Sequence, residues 1–460
     1  MWFRRDLRLK DNTALQNALS ESNKLSCIFI FDEHILKNLS PIDRRITFIW
    51  ESLEDMNRQL AESHAGPVYL FFGKPEEIIP RIVSDSNIDA VYVNHDYEPA
   101  AIERDKKLEL ICLKDRIHFK SYKDQVIFEK SEIVKSDGSP YKVFTAYKNR
   151  WIEKLEDIPF FRTTNKLPWE KITPLFNDPS MIQQLDDIHF IPVTNIIQGG
   201  ETACKSRWMK FLRNDLEGYV HHRNFPGLNK TSFLSAFLRF GNISVRDLVE
   251  TLRNSKAIGA RAFLSELIWR EFFMMILFHY PHVVTRSFNA QFDSVQWQNR
   301  QDRFRAWCGG NTGFPIVDAG MRQLNETGFM HNRVRMITAS FLVKHLHVDW
   351  RWGEKYFADK LLDYELSSNN GNWQWAAGTG VDAAPYFRIF NPLTQSKKFD
   401  PEGMYTKRWV PELKNCAPNE VHEPHKKVSV IKNYPSPIID LASERKNCLA
   451  MYNHRSDRTK

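Results

Sequence analysis

The motifs that would mark a metal, disulfide or nucleotide-phosphate site are missing from this chain. Its six cysteines are far apart and form no Cys-x-x-Cys pair, which argues against a zinc site and a disulfide framework. No Gly-x-Gly-x-x-Gly follows a predicted strand, and no P-loop or nucleophile elbow is present. His221-His222 and His345-x-His347 lack a third convergent ligand, so we expect no metal site.

Long apolar runs and basic tracts are also missing. The longest apolar run, Phe272 to Phe278, is far shorter than the roughly 20 residues that span a bilayer, and there is no charged-then-apolar leader. We therefore expect a soluble, cytoplasmic chain that contacts no membrane. The formal net charge is +8, which suits a polyanionic partner. No tract of Lys and Arg alone exists, so a nucleic-acid footprint would lie on the folded surface.

The length of 460 residues predicts two domains, because a single core rarely grows past roughly 250–300 residues. Residues 1–125 alternate short apolar strands with helical patterns, which predicts a parallel α/β sheet. Residues 126–197 are rich in Pro, Asp and Asn and predict a linker, with one helix near 144–153. Residues 198–460 show helical periodicity. The predicted fold class is thus α/β plus all-α. The predicted strands are 26–31, 68–72, 90–93 and 117–122, and the predicted helices between them are 42–61, 75–84 and 99–113.

Aromatic residues, at 13% of the chain, are the main compositional excess. The segment Asn369–Gly378 combines two tryptophans with three asparagines and two glycines. Large π-surfaces beside amides suit a flat, hydrogen-bonding ligand such as a flavin or a nucleobase. An aromatic turn in the core explains the same residues, so the segment alone leaves both interpretations open.

A second group of residues falls on one predicted helix. Glu266, Trp269 and Arg270 occupy positions i, i+3 and i+4 and therefore share a face. They form either an intrahelical ion pair beside a core tryptophan or the wall of a cavity that offers an acceptor and a stacking plane.

The segment Met330–Met336 predicts the start of another helix. Arg333 and Arg335 are too close in sequence to share a face, so one of them points inward. An inward arginine requires a buried anion, and Asp363 is a candidate.

Hydroxyl groups cluster before a third predicted helix. Thr231, Ser232 and Ser235 supply three hydroxyls at its start, where free backbone N–H groups favour phosphate. The alternative is an ordinary N-cap by Thr231 or Ser232.

Together these motifs resemble the photolyase/cryptochrome family, and most closely its bacterial class I cyclobutane pyrimidine dimer photolyases. The resemblance runs from Trp2-Phe3-Arg4-Arg5 to Val421-His422-Glu423-Pro424. It implies a carbon–carbon lyase that binds FAD in the helical domain and repairs pyrimidine dimers in DNA with light. Members of this group rotate the lesion out of the duplex. The implied partner is damaged DNA, and the implied state is a monomer.

The resemblance also implies which residues hold the cofactor. The FAD-binding positions are Tyr219, Thr231, Ser232, Phe233, Leu234, Ser235, Arg335, Asp363, Tyr364, Glu365 and Asn369. Among these, Asn369 faces flavin N5, and Arg335 with Asp363 forms a buried ion pair against the ring. Three indoles that carry electrons to the flavin match Trp373, Trp350 and Trp297. Close relatives carry Asp in place of Glu365.

The resemblance also implies which residues contact the pyrimidine dimer and the DNA. Catalytic positions match Glu266, Trp269, Asn332 and Met336, where Glu266 bonds the dimer carbonyl and Trp269 stacks on it. The DNA-binding positions are Arg223, Glu266, Trp269, Arg270, Phe273, Asn332, Arg333 and Gln395. Enzymes for six-four photoproducts carry histidines in place of Asn332 and Met336. A cryptochrome-type blue-light receptor is the other alternative.

Two departures from the family bear on the α/β domain. Folate-binding relatives carry an Asn-Glu pair after the Tyr-Glu dipeptide, whereas this chain reads Pro99-Ala100-Ala101 after Tyr97-Glu98. A second, antenna chromophore, of folate type or a deazaflavin, is therefore possible, but its identity is left open. Relatives also begin several residues earlier within a complete first strand. We therefore expect the native chain to start before Met1.

Overall fold

The computed structural model describes residues 1–86, 88–159, 167–174, 181–426, 431 and 433–453. It confirms the predicted fold class, because an α/β segment is followed by a helical one. The α/β segment contains β1 (Trp2–Phe3), α1 (Thr13–Glu21), β2 (Cys27–Asp32), α2 (Glu33–Leu36), α3 (Arg44–Glu62), β3 (Val68–Gly73), α4 (Pro75–Ser86), β4 (Ala90–Asn94), α5 (Pro99–Lys114) and β5 (His118–Tyr122).

The helices after β5 carry most of the predicted site residues. They are α6 (Phe144–Glu156), α7 (Glu201–Asn214), α8 (Tyr219–His222), α9 (Ser235–Phe240), α10 (Val245–Arg253), α11 (Ile258–His279), α12 (Gln301–Cys308), α13 (Pro315–Thr327), α14 (Asn332–Lys344), α15 (Trp350–Lys360), α16 (Leu366–Ala377), α17 (Pro392–Phe399), α18 (Met404–Trp409) and α19 (Leu441–Asn453).

The strands form two parallel sheets, β1-β2-β3 and β4-β5. Strand β1 pairs with β2 through Trp2 and Ile28, and β2 pairs with β3 over its whole length. All six residues of β2 are buried, as expected for a parallel strand covered on both faces. The four predicted strands and three predicted helices are present, with ends that differ by one or two residues.

Helix α1 was not predicted, although its sequence carries a start signal. Asn12 precedes the helix, and its side-chain oxygen accepts a hydrogen bond from the backbone N–H of Leu15 at 3.1 Å. This is the N-cap contact that asparagine favours.

The predicted linker runs partly along the first sheet. Ile172 forms an isolated bridge with Leu25, and Met181 forms one with Phe71. Two parts of the predicted linker, 160–166 and 175–180, lie outside the described residues.

The chain forms two compact units, and neither is continuous in sequence. The first contains Met1–Gly138, Lys148–Leu216 and Ser232–Glu271, and the second contains Ser139–Tyr147, Glu217–Thr231 and Phe272–Lys460. Helix α11 contributes residues to both.

A buried carboxylate pairs with one of the arginines at the start of the chain. Asp124 is 1% exposed and bonds both Arg8, at 2.7 Å, and Arg246, at 2.9 Å. Burial alone would raise its pKa, but the two guanidinium groups hold the pKa of Asp124 well below its usual range. This clamp joins three distant parts of the first unit.

The core of the second unit is rich in aromatic side chains. Trp307, Phe341, Trp350 and Trp373 are all buried in one cluster. Helices α15 and α16 approach closely at Gly353, where an added Cβ would collide with the indole of Trp373. Glycine is therefore required at this crossing.

Candidate functional site

A cavity in the second unit is lined by helices α14, α15 and α16 and by the segment before α16. The cavity has a volume of about 90 Å³. The predicted site residues on its wall are Asn332, Arg335, Met336, Asp363, Tyr364, Glu365, Asn369 and Trp373. Residues predicted for the substrate side and for the cofactor side thus line one cavity.

The ion pair between Arg335 and Asp363 is confirmed. One guanidinium nitrogen of Arg335 donates to both carboxylate oxygens of Asp363, at 2.8 and 3.1 Å. The Nε of the same arginine donates to the carbonyl of Met330 at 2.8 Å. Since the Asp363 side chain is only 4% exposed, the pair supplies the buried anion that an inward arginine requires.

Asn369 lies on α16, and its amide nitrogen is bonded to the neighbouring helix α15. Its Nδ2 donates to Glu354 of α15, at 2.7 Å to the carboxylate and 3.1 Å to the backbone carbonyl. Burial raises the pKa of Glu354, and the hydrogen bond from Asn369 opposes that rise. Glu354 was not predicted from the sequence.

The start of α16 is fixed by Glu365. Its Oε2 accepts hydrogen bonds from the Ser367 hydroxyl at 2.5 Å, from the Ser368 hydroxyl at 2.8 Å and from the Ser368 backbone N–H at 3.0 Å. Glu365 is therefore the N-cap of the helix that carries Asn369 and Trp373.

The residues that line the cavity suit a flat ring system with polar edges. Trp373 and Phe357 supply aromatic wall, while the Arg335–Asp363 pair and the carbonyl of Asn369 supply a few placed polar groups. This combination is typical of cofactor sites, and it suits the hydrogen-bonding edge of a flavin.

The three predicted electron-carrying tryptophans all belong to the second unit. Trp350 and Trp373 are buried in its core cluster, and Trp297 is half-buried and packs against that cluster. The indole N–H of Trp350 is buried and has no partner among the described residues.

Three arginines concentrate positive charge in the second unit. Arg333 donates to Asn224 at 2.6 Å and lies over the Phe399 ring at 4.3 Å. Burial, followed by the charges of Arg223 and Arg388, lowers the pKa of Arg333. Mutual repulsion of this kind is relieved when an anion binds. Arg388 was not predicted as a site residue.

Four other predicted residues of this unit do not line the cavity: Gln395, Tyr219, Phe273 and Thr231. Gln395 has a buried Oε1 that finds no hydrogen-bond partner in the described part of the chain. Tyr219 is buried, and the Arg223 guanidinium lies 5.4 Å from its ring centroid. Phe273 is buried where a Cβ added at Gly371 would collide with its ring. Thr231 is half-buried.

The remaining predicted cofactor residues, Ser232 to Ser235, belong to the first unit. The N-cap suggested at Thr231 or Ser232 is wrong, because α9 begins at Ser235 and its N-cap is Leu234, without a side-chain cap bond. The backbone of Phe233 has a φ of 56°, in the left-handed region, which delays the helix. The Arg207 guanidinium lies 4.4 Å from the Phe233 ring centroid.

Glu266, Trp269 and Arg270 lie on α11 within the first unit, and all three are half-buried. Arg270 donates to the carbonyl of Gln125 at 2.7 Å. The next residue, Glu271, is buried and accepts hydrogen bonds from the backbone N–H groups of Ile127 and Phe128. This part of the helix is therefore anchored to the segment that follows β5.

The segment that departs from folate-binding relatives has its polar groups paired internally. Glu98 bonds both Arg5 and Arg239 at 3.0 Å, and the Tyr97 hydroxyl donates to Glu129 at 2.7 Å. Pro99 begins helix α5. A second chromophore stays a prediction.

Two further properties of the described residues bear on function. Over the ranges that the structure describes, none of the helices combines the length and the apolar character needed to cross a bilayer. Within those same ranges, no group of three or more His, Cys, Asp or Glu side chains is placed to hold a metal ion.

Comparison with known proteins decides the family. Residues 1–167 match the DNA photolyase family model, and residues 263–454 match the FAD binding domain of DNA photolyase. The deoxyribodipyrimidine photo-lyase of Escherichia coli is 39% identical, with 98% of each chain covered. This chain belongs to the DNA photolyase family. The expectations of a flavin-dependent family enzyme and of FAD as its cofactor are confirmed.

Solved structures extend the photolyase likeness to the fold. A bacterial class III photolyase from Agrobacterium tumefaciens matches with a TM-score of 0.89 at 35% identity, covering 99% of this chain and 97% of that one. The cryptochrome of Synechocystis sp. PCC6803 matches with a TM-score of 0.86 at 27% identity, with 98% of each chain covered. A photolyase and a cryptochrome thus share this architecture. The fold therefore does not distinguish DNA repair from light reception, and the residues of the site have to do so.

Proposed function

We propose that this photolyase-family protein repairs cyclobutane pyrimidine dimers in DNA under blue or near-ultraviolet light. The observation that carries the proposal is that Asn332 and Met336 line the same cavity as Arg335, Asp363 and Asn369. Arg335, Asp363 and Asn369 would hold FAD at this wall, and the bound, reduced cofactor would supply light-driven one-electron transfer to the dimer.

The residues of the cavity hold and orient the two ligands. The Arg335–Asp363 pair presents a cation and an anion with fixed geometry, and the carbonyl of Asn369 offers an acceptor to a reduced N5–H. Asn332 and Met336 form the part of the wall assigned to the flipped dimer. No general base or metal is needed for these roles.

The arginine cluster supports DNA as the partner. Arg223, Arg333 and Arg388 concentrate positive charge, as expected for side chains that contact phosphates. The buried oxygen of Gln395 has no partner within the residues that the structure describes, and it could accept from a donor on the nucleic acid.

Two alternatives make different predictions. An enzyme for six-four photoproducts would carry histidines at positions 332 and 336, where this chain has Asn332 and Met336. A cryptochrome-type receptor would bind FAD without removing dimers, and the repair-type residues Glu266, Trp269 and Asn369 weigh against it.

The decisive experiment illuminates the FAD-bound, reduced protein with oligonucleotides that contain one defined lesion. We expect blue-light-dependent loss of cyclobutane dimers, no loss in darkness and no loss of six-four photoproducts. Intact dimers after illumination of protein with verified FAD content would refute the proposal. Loss of only the six-four lesion would favour the other enzyme class.

Glu266 provides a test of the substrate side. If its carboxyl stabilises the dimer during electron transfer, Glu266→Ala should lower repair per absorbed photon clearly while DNA affinity changes little. Glu103→Ala is a matched control, because Glu103 is an exposed residue of α5 paired with Lys107. An unchanged repair yield in the Glu266 variant would contradict the assigned role.

The remaining expectations belong to the same proposal. A monomeric state is checked by light scattering at several concentrations, and a cytoplasmic location by fractionation of cells. An absorption spectrum before and after denaturation identifies a second chromophore, because folate, deazaflavin and flavin absorb differently.

A further inference from the structure

A buried tyrosine of α19 lies beside one of the three predicted electron carriers. The ring of Tyr452 makes an edge-on contact with the indole of Trp297, with 5.9 Å between the ring centroids and 86° between the planes. Tyr452 is 1% exposed, whereas Trp297 is half-buried. A tyrosine in contact with an oxidised tryptophan can donate an electron to it, provided that a base takes the phenolic proton.

The phenol of Tyr452 shares its hydrogen-bond acceptor with the side chain of Lys344. The hydroxyl of Tyr452 and the Nζ of Lys344 each donate to the carbonyl of Ala377 at 2.6 Å. The same Nζ lies 3.9 Å from the centroid of the Tyr452 ring. A backbone carbonyl is too weak a base to hold the phenolic proton, whereas a neutral amine can take it. Lys344 therefore places a base next to the phenol.

The surroundings of Lys344 favour the neutral amine. Lys344 is 1% exposed, and burial lowers its pKa to about 7. The titratable groups that face it in the described structure are Tyr452 and Cys448, both on α19. Burial raises the pKa of the Cys448 thiol to about 11, so this thiol is uncharged near neutral pH. Helix α16 faces the amine with the carbonyl of Ala377.

We propose that the neutral amine of Lys344 takes the phenolic proton of Tyr452 and thereby lets this tyrosine return an electron to oxidised Trp297. One electron passes from the Tyr452 ring to the Trp297 radical cation, and one proton passes from the phenol to Nζ. The products are neutral Trp297, a tyrosyl radical and the lysine ammonium. A lysine that is already protonated cannot take this proton, and its charge beside the ring opposes the loss of an electron.

The inference goes beyond the proposed repair of dimers, and it rests on the predicted electron path through Trp373, Trp350 and Trp297. That path supplies the oxidant, because photoreduction of bound, oxidised flavin removes one electron from Trp297. Once Tyr452 has reduced Trp297, the electron can no longer return along the tryptophans. The pair of Lys344 and Tyr452 would therefore increase the fraction of flavin that stays reduced after each flash.

The test is time-resolved absorption after a laser flash, in the FAD-bound, oxidised protein without DNA. Tryptophanyl and tyrosyl radicals absorb in separate bands, so their yields are measured independently. The unmodified protein is compared with Lys344→Met, Tyr452→Phe and Lys355→Met. Methionine retains a long, flexible side chain but removes the base. Lys355 is the matched control, because it is an exposed lysine of α15 that pairs with Asp359.

In the unmodified protein, we expect the yield of tyrosyl radical to rise about tenfold from pH 6 to pH 9. The neutral fraction of an amine with a pKa of about 7 rises by the same factor. Lys344→Met and Tyr452→Phe should form the tryptophanyl radical but little tyrosyl radical at either pH, and Lys355→Met should match the unmodified protein. A tyrosyl yield in Lys344→Met equal to that of the unmodified protein at pH 9 would overturn the proposal.

The pH profile keeps the proposal testable even if Lys344→Met fails to fold. A tyrosyl yield in the unmodified protein that is the same at pH 6 and pH 9 would also overturn it, because a lysine with a purely structural role gives no such dependence. Absence of the tryptophanyl radical would overturn the inference together with the electron path. Repair by chemically reduced protein requires neither Tyr452 nor Lys344, so this failure is distinguishable from failure of the proposed function.

Discussion

Lys344 offers a sharp test of how charge is accommodated in the second unit. Its side chain is 1% exposed, and burial lowers its pKa to about 7. The ammonium donates to the carbonyl of Ala377 at 2.6 Å and lies 3.9 Å from the Tyr452 ring centroid. Tyr452 donates to the same carbonyl at 2.6 Å, so this C-terminal end of α16 keeps one donor if the lysine is replaced.

The perturbation is Lys344→Met, which retains a long, flexible side chain without charge. Because the folded-state pKa is lowered from 10.5, the unfolded chain binds more protons between pH 7 and 10.5, and stability rises with pH through that window. At about 1.4 kcal/mol per pKa unit, burial of the charged amine costs about 5 kcal/mol at pH 6 and about 2 kcal/mol at pH 9.

Urea unfolding at several pH values measures the difference between the variant and the unmodified protein. We expect Lys344→Met to be the more stable protein at pH 6 and its advantage to shrink by about 2–3 kcal/mol by pH 9. Lys355→Met, at an exposed site on α15, should show no such trend. A difference that stays constant from pH 6 to pH 9 would refute the reasoning. It would mean that the carbonyl and the ring stabilise the charged amine as well as water does.

Three other variants test the site itself. Arg388→Gln should weaken DNA binding and reduce the slope of log K against log salt by about one, measured by fluorescence titration, whereas loss of affinity at an unchanged slope would argue against a phosphate contact. Asp363→Asn leaves Arg335 without its full counter-charge, so the protein should lose about 2 kcal/mol of stability and release FAD faster, as monitored by flavin fluorescence. Trp297→Phe should block photoreduction of oxidised flavin but spare repair by chemically reduced protein, and loss of repair under both conditions would contradict its role as an electron carrier.

A buried anion for one of Arg333 and Arg335 could be anticipated from the sequence, because these arginines, two positions apart, do not share a helix face. Asp363 was only a candidate, and the structure shows that it pairs with Arg335. The strands and long helices of the α/β segment were also predictable, because the apolar periodicity that marks them is a local property of the sequence.

Other features depend on packing that no local pattern encodes. Glu354 reaches Asn369 only because α15 and α16 cross at Gly353. Arg388 lies in a loop, where periodicity carries no information, and it is identified by its electrostatic effect on Arg333. The start of α9 was misplaced because the left-handed backbone at Phe233 separates the hydroxyls from the helix.

The cap at Glu365 has a consequence for genetics. Its carboxylate bonds residues of its own helix, yet that helix carries Asn369 and Trp373, and it follows directly on Asp363 and Tyr364 of the cavity wall. A screen that scores colonies for loss of flavin would therefore recover substitutions at 365 and label them as cofactor contacts. Part of that phenotype would report where a helix begins, because Glu365 both lines the cavity and caps α16. Destabilisation of the flavin-free protein by the same substitution would measure the share that belongs to the cap.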